Sequence, residues 1–512
     1  MPFLARSAAL PKGSSMHDIL IKGGRVVDPE TGRDEITDIA ISGDKIAAIG
    51  AGLGPAHKVV DAEGLIVAPG FIDLHAHGQS VPADRMQAFD GVTTALELEV
   101  GALPVGGWYG AQANTARLLN YGTASAWVFA RKAVMIGLEL KSGEAPITVM
   151  GRGFDDPRWS TDAATEAQAN EIVALTRKGI EEGALGIGIP AGYAPGAGAK
   201  EMSLICDLAA ETDTPTYTHI AQMSNIDPKS SIEAYVTLIG LAGATGAHMH
   251  ICHLNSTSLQ DVERAAAIIA RAQAQGLRIT TEAYPYGTGS TVVSAGFFVD
   301  PAFSARTGTG YDAIELVTTH RRLDGIDDLK QVRQADPSAL VLWHFLDTED
   351  NPRHRALLDV SVMYPGGAIA SDAMPWSQPD GTPYEGNEWP LGPDKTAHPR
   401  SSGTFTRFLR QWVRERDAIP LVEAIAKCTL IPARIVESCA PLFQRKGRLQ
   451  PGCDADIVAF DLATIADRAT FAEMNLPAEG MRHVLVNGQV VISDGVLDRA
   501  AAPGRPIRRG DA

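Results

Sequence analysis

Cysteine is scarce in this 512-residue chain. Only Cys206, Cys252, Cys428, Cys439 and Cys453 occur, odd in number, scattered, and without a CxxC pair. That argues against a disulfide framework and for buried thiols in a reducing, cytoplasmic setting. Long apolar runs are also missing. None approaches the roughly 20 residues that cross a bilayer. Residues 1–16 lack the extended apolar core of a secretory signal and read as a flexible extension, with Met16 as an alternative start. Positive charge is in deficit: 45 Lys and Arg against 61 Asp and Glu give a net charge of −16. Such a surface repels nucleic acid and anionic membrane, so the expected partner is a small molecule, and an acidic one would need local cations. Neither GxGxxG nor GxxxxGK[ST] is present, which removes the usual phosphate-binding loops. No convincing repeat or low-complexity tract is found, and a homo-oligomer is compatible with everything above.

What is present is ordinary for a soluble protein large enough for more than one domain: 45% hydrophobic and 21% charged residues. Residues 17–65 look like short strands and turns, and residues 446–512 repeat that character, with a hairpin turning at Asn487-Gly488. One small β-sandwich built from both termini is expected. Residues 66–445 alternate strand-like and helix-like segments. The strand candidates are Gly70–His77, Thr93–Val100, Ala184–Ile189, Thr216–Ile220, His248–His253, Arg278–Ala283, Ala339–His344 and Ala368–Asp372. Helix-like segments include Ala163–Glu182, Lys200–Glu211 and Ser258–Gln275. Eight strand candidates in this alternation predict an α/β fold of the (β/α)8 TIM-like barrel type, with an inserted lid around 291–360. The alternative, a doubly wound open sheet, would usually carry a glycine-rich nucleotide loop.

In such a barrel the chemistry sits at the C-terminal ends of the strands. Ile66-Val-Ala-Pro-Gly-Phe-Ile-Asp-Leu-His75-Ala-His77 ends in two histidines at i, i+2, which share one face of a strand. In Leu96-Glu97-Leu-Glu99, both carboxylates share a face. His219 ends Thr216-Tyr-Thr-His. In His248-Met-His250-Ile-Cys-His253, His253 lies nearest the strand end, and His248 and His250 read as structural. Asp372 closes the last strand candidate. Each residue alone has a plainer reading, a satisfied core histidine or a turn aspartate. Four histidines and an aspartate at successive strand ends point instead to a divalent metal. Nitrogen and oxygen ligands suit zinc, with manganese or iron also open. A metal that polarises a carbonyl, with Asp372 moving a proton from water to a leaving amine, is the chemistry of amide hydrolysis.

With these motifs the chain resembles the amidohydrolase superfamily, and within it the D-aminoacylases (N-acyl-D-amino-acid deacylases). The likeness runs from about Asp18 to Arg508. It is carried by Gly70-Phe-Ile-Asp-Leu-His-Ala-His, Asp90-Gly-Val-Thr-Thr94, Glu182-Gly-Ala-Leu-Gly186, Tyr193-Ala-Pro-Gly196, Ala283-Tyr-Pro-Tyr-Gly-Thr-Gly-Ser-Thr291, His398-Pro-Arg-Ser-Ser-Gly-Thr-Phe405, Gly452-Cys-Asp-Ala-Asp456 and Val486-Asn-Gly488. The resemblance implies a zinc-dependent deacylase of N-acyl-D-amino acids. His219 and His253 would hold one zinc tightly, and His75 and His77 would face a weaker second position. Asp372 would be the catalytic acid/base, and Arg400 would grip the substrate carboxylate. Tyr193 and Tyr286 are candidate substrate contacts, with a packed aromatic as an equal reading of each.

Three residues depart from the family pattern. The family's cysteine ligand after the second strand is absent, and Glu99 is the expected replacement, a carboxylate able to bridge two metals. A family lysine two residues after the sixth-strand histidine is Asn255 here. The Asp before Tyr-Pro-Tyr is Glu282, without an assigned role. The His-Ala-His-Gly-Gln and Leu-Glu-Leu-Glu-Val-Gly segments look most like the D-glutamate deacylase branch, which makes N-acyl-D-glutamate one candidate substrate. Other amidohydrolase reactions (opening of a cyclic amide or hydantoin, dipeptide cleavage, deamination) are the second reading, and a non-catalytic binding protein the third.

Overall fold

The computed structural model describes residues 16–512, so the expected extension over 1–15 lies outside the described residues. A nine-stranded sheet is assembled from both ends of the chain. His17–Asp28 pairs antiparallel with Arg33–Ser42, Ile19 facing Ile41 and Leu20 facing Ala40. Alternating apolar residues put Ile19, Ile21, Ile39 and Ile41 into one buried layer with Ile457, Ala459 and Leu485 from the other end of the chain. The two ends meet where Ile66–Pro69 pairs antiparallel with Ile457–Phe460. Met481–Val486 and Gln489–Ser493 form the expected hairpin. Its turn residues Asn487 and Gly488 both have positive φ, 49° and 76°, the conformation a two-residue hairpin turn requires.

The middle of the chain is a parallel eight-stranded sheet with helices between its strands. In spatial order its strands are Phe71–Asp73, Val92–Ala102, Asn120–Ala126, Ile187–Pro190, Thr216–His219, Met249–Ile251, Ile279–Ala283 and Ala368–Ile369. The first and last are joined beyond their ends, where His77 N donates to Ala373 O at 2.8 Å and Ala373 N to His75 O at 3.2 Å. That seam closes the TIM-like barrel at the edge where the histidine pair and Asp372 lie.

Two strand assignments change. Ala339–His344 is not a barrel strand. Leu340–Trp343 is the centre of a separate three-stranded antiparallel sheet, between Gly289–Val292 and Ile314–Leu316. The third barrel strand is Asn120–Ala126 instead, in which every residue is buried. Its sequence, Asn-Tyr-Gly-Thr-Ala-Ser-Ala, is small and polar, so neither β-propensity nor an apolar run marks it. Packing explains the composition. Asn120 Nδ2 donates to Asp456 Oδ2 at 3.1 Å, tying barrel to terminal sheet. Ser125 Oγ donates to Thr176 O at 2.9 Å on the helix Glu166–Glu181. Gly179 of that helix lies so near Ser125 that a Cβ there would fall 2.2 Å from its hydroxyl. The helix starts from a capping box between Thr165 and Gln168. It buries Ala169, Ile172, Thr176, Gly179 and Ile180, spaced as one helical face. No helix among the described residues is long and apolar enough to cross a membrane.

The helix Val81–Phe89, which follows the histidine pair, is fixed by a buried ion pair. Asp84 accepts from Arg117 Nε and Nη2 at 2.8 and 2.7 Å and from the amides of Leu118 and Leu119 at 3.0 and 3.3 Å. Asp84→Ala leaves the Arg117 charge and two amides buried without this partner. It is expected to cost ~3–5 kcal/mol, read as a lowered midpoint in denaturant unfolding. An unchanged midpoint would contradict this account of the helix's placement.

Candidate metal centre

The strand ends bring together side chains that are far apart in sequence. His75 Nε2 lies 3.1 Å from His77 Nε2 and 3.2 Å from Glu99 Oε2. His77 Nε2 is 3.4 Å from the same Glu99 oxygen. Asp372 Oδ1 is 3.5 Å from each of the two imidazole nitrogens. Glu99 then turns its other oxygen, Oε1, to His253 Nε2 at 3.3 Å. The strand pleat explains part of this arrangement. Glu97 and Glu99 sit two residues apart on one face of Val92–Ala102, opposite the histidine pair. His253 and Asp372 are placed by strain, with φ of 33° and 52°, a left-handed region unusual for residues other than glycine, as functional side chains often are.

A second layer of contacts orients these groups. His77 Nδ1 is bound by Glu97 at 3.0 Å, and His75 Nδ1 by Glu282 Oε1 at 2.6 Å. Glu282 Oε2 also meets His250 Nε2 at 3.1 Å, which gives the unassigned glutamate its role and leaves His250 outside the cluster. His248 is likewise turned away, to Thr280. His219 donates from Nδ1 to Ile220 O at 2.9 Å, and its ring lies 5.0 Å from that of His253. Burial and the neighbouring His253 push His219 down to about 4, so it is neutral with Nε2 as its free nitrogen. His253 Nδ1 is buried without a partner. Anchoring one ring nitrogen so that the other faces a common point is how proteins orient metal-binding histidines.

The electrostatics ask for a cation. Glu97, Glu99, Glu282 and Asp372 are buried around this point, with the single guanidinium of Arg400 beside them. Burial alone would lower His75 and His77, yet the surrounding carboxylates, Asp372 first for His75 and Glu97 first for His77, raise both well above the usual imidazole range. Burial would likewise raise Asp372, but Arg400 and then His75 hold it below its ordinary value. A divalent cation supplies the missing charge with the imidazoles neutral. The spacing fits as well. Four donors at 2.0–2.1 Å from a tetrahedral ion stand about 3.3 Å apart, and five of the six edges among His75 Nε2, His77 Nε2, Glu99 Oε2 and Asp372 Oδ1 measure 3.1–3.5 Å. Cys252 lies beside His75 and Glu282. Burial raises its thiol well above the usual range, and it lies on the Glu282 side of His75, away from the point where His77, Glu99 and Asp372 converge.

Arg400 opens the helix Arg400–Phe408 and is fully buried. Its Nη2 stands 2.9 Å from Asp372 Oδ1 without being directed at it, so Nε, Nη1 and Nη2 all lack a hydrogen-bond acceptor. The guanidinium lies 4.6 Å over the Tyr284 ring. A cavity opens onto the cluster, lined among others by His77, Glu99, His219, His253 and Asp372. Tyr193 lines it, with its hydroxyl 2.6 Å from Thr291 Oγ1. Tyr286 does not reach it. Its ring packs edge-on to His398 and under Arg407, with the hydroxyl toward Gly403 O. Tyr284 faces the cavity instead. The strand Ile279–Ala283 ends before these residues, so the i, i+2 rule no longer holds their rings on one face.

Comparison with known proteins bears on this site. A model of the amidohydrolase family matches residues 58–266 and 255–492. An N-acyl-D-glutamate deacylase of Alcaligenes xylosoxydans xylosoxydans is 28% identical, covering 96% of each chain. A D-aminoacylase of the same organism is 26% identical over 93% of this chain and 95% of that one. Among solved structures, an N-acyl-D-glutamate deacylase of Bordetella bronchiseptica, complexed with zinc and a phosphonate mimic of the tetrahedral intermediate, superposes with a TM-score of 0.75. It is 24% identical and covers 96% of this chain and 100% of its own. That likeness speaks for the fold.

If Glu282 orients His75, Glu282→Ala should weaken binding of a divalent cation by about 10–100-fold. Competition with a chromophoric chelator measures this directly. Equal affinity for variant and wild type would show that the contact orients nothing.

Proposed function

The chain belongs to the amidohydrolase family, and from that premise we propose that it hydrolyses the amide bond of N-acyl-D-amino acids to a carboxylate and a free D-amino acid. The observation that carries the reading is the convergence of His75, His77, Glu99 and Asp372 on one point, with the acceptor-free guanidinium of Arg400 beside it. The curated relatives act on such substrates by name, and they align with nearly the whole chain.

Zinc is the cation the donor set suits best, since all the converging atoms are imidazole nitrogens and carboxylate oxygens. His253, His219 and Glu99 Oε1 would hold one cation, the tighter by the family resemblance, and His75, His77 and Glu99 Oε2 would face the weaker second position, with Asp372 at its edge. When bound, the cation supplies Lewis acidity that polarises the amide carbonyl and acidifies water. The remaining work belongs to the chain. Arg400 pairs with the substrate α-carboxylate, for which its planar fork is matched. That fixes the amide over Asp372. The Asp372 carboxylate, kept ionised by Arg400, accepts a proton from the attacking water. It then returns that proton to the leaving nitrogen, so one group serves as base and then as acid. Tyr193 lines the cavity beside His219, their rings 5.4 Å apart.

Cyclic-amide opening in binuclear relatives commonly uses a carboxylated lysine on the fourth strand. That strand here is Ile187-Gly-Ile-Pro190, without lysine, and Glu99, whose two oxygens face different histidines, would take that place. The five buried free thiols suit a reducing compartment, so the proposed location is the cytoplasm.

N-acetyl-D-amino acids should be turned over, their L-enantiomers far more slowly, and a chelator should abolish turnover until zinc is restored. Asp372→Asn is expected to lower kcat by about 10²–10⁴-fold. Arg400→Met should lower kcat/KM by about 30-fold or more, the loss of a buried charge partner. No turnover of any D substrate by the zinc-loaded protein, or ammonia as the product, would refute the proposal.

A further inference from the structure

Arg400 grips the substrate carboxylate in the reading above, yet nothing steers its guanidinium, none of whose three nitrogens has a hydrogen-bond acceptor. Its aim comes from its own backbone and from the Tyr284 ring beneath it. Two residues earlier, His398 is fully buried and both its ring nitrogens are engaged. Its Nδ1 accepts from the Arg400 amide at 2.9 Å, and its Nε2 donates to Thr288 O at 3.1 Å. An acceptor at Nδ1 and a donor at Nε2 define a neutral imidazole in a single tautomer. Burial first, and the Arg400 charge next, hold it well below the usual imidazole range, so it keeps that state.

Thr288 leads into Gly289–Val292, a strand of the three-stranded sheet from which Gly289, Ser290, Thr291, Val292 and Trp343 line the cavity. Its hydroxyl lies 2.9 Å from Nδ1 of His344, which follows the central strand of that sheet. Phe471 covers both imidazoles edge-on, its ring 5.3 Å from that of His344 and 5.4 Å from that of His398. The other side of Arg400 is pinned as well. Thr404 Oγ1 donates to Arg400 O at 3.0 Å. Beyond the kink at Gly403, Asp90 accepts from the amides of Phe405 and Thr406 at 2.9 and 2.7 Å. His398 thus links Arg400 to the cavity wall. We propose that His398 is a positioning residue, which fixes the Arg400 backbone against the three-stranded sheet and so aims the guanidinium at the substrate carboxylate. The inference rests on the deacylase reading and on the role of Arg400 within it.

The test compares kcat/KM, read as acetate release, for N-acetyl-D-leucine and for N-acetyl-D-leucinamide, which lacks the carboxylate. The inhibition constant of the carboxamide against the acid serves where its turnover is too slow to read. The zinc-loaded wild-type protein should prefer the acid by about 30-fold or more. His398→Asn keeps an acceptor near the Nδ1 position and should retain that preference. His398→Gln keeps a donor near the Nε2 position without that acceptor, and its preference should fall by about 10-fold or more. Equal preferences in the two variants, or an equal loss on both substrates in His398→Gln, overturn the positioning role and leave the deacylase reading intact. Failure of both variants to take up zinc or to unfold cooperatively makes His398 a structural residue and overturns that role too. A wild-type protein without preference for the acid overturns the assignment of Arg400. Absence of acetate from either substrate overturns the deacylase reading itself.

Discussion

Carboxylates buried against imidazoles around a single point are the constraint on which the rest of this structure depends. Left alone, Glu97, Glu99, Glu282 and Asp372 repel one another in a medium that cannot screen them. The fold tolerates them because each is tied to an imidazole or a guanidinium, and because the point they surround suits a divalent ion. The closure of the barrel follows from the same arrangement. The strand that carries the histidine pair is joined to the strand that precedes Asp372, so the two halves of the cluster lie across one seam. Ser371 strengthens it, since its amide donates to Asp73 Oδ1 at 3.0 Å and its hydroxyl donates to the other Asp73 oxygen.

Glu99 is the centre of the arrangement in another sense. Its two oxygens face different histidines, one toward His75 and His77 and one toward His253. A thiolate offers one atom to both sides. A carboxylate offers two, and it can hold a pair of cations at a spacing its own geometry sets. With His75, His77, Glu99 and Asp372 as the converging set, the site is harder than the sulfur-containing pattern it resembles, and Cys252 lies to one side of it, beside His75 and Glu282.

Much of this was readable from spacing. The i, i+2 histidines, the i, i+2 glutamates and the Asn-Gly hairpin each have a local geometric reason that the structure repeats. What could not be read depended on contacts between distant segments. The strand Asn120–Ala126 is hidden by its small polar residues, which answer to Asp456 and to a helix some fifty residues on. Leu340–Trp343 looks like a barrel strand because a buried antiparallel strand and a buried parallel strand share one apolar signature. Glu282 had no role until its two partners, His75 and His250, were placed around it. Tyr284 and Tyr286, at i, i+2, would share a face in a continuing strand, but the strand Ile279–Ala283 ends before them and the rings part.

The most direct test of the central claim is zinc K-edge X-ray absorption on the zinc-loaded protein. The account predicts a first shell of nitrogen and oxygen alone at about 2.0–2.1 Å, with imidazole scattering and no sulfur. A sulfur shell at about 2.3 Å would place Cys252 on the metal and contradict the role given to Glu99. A protein that takes up no zinc when the ion is in excess would contradict the cluster as a whole.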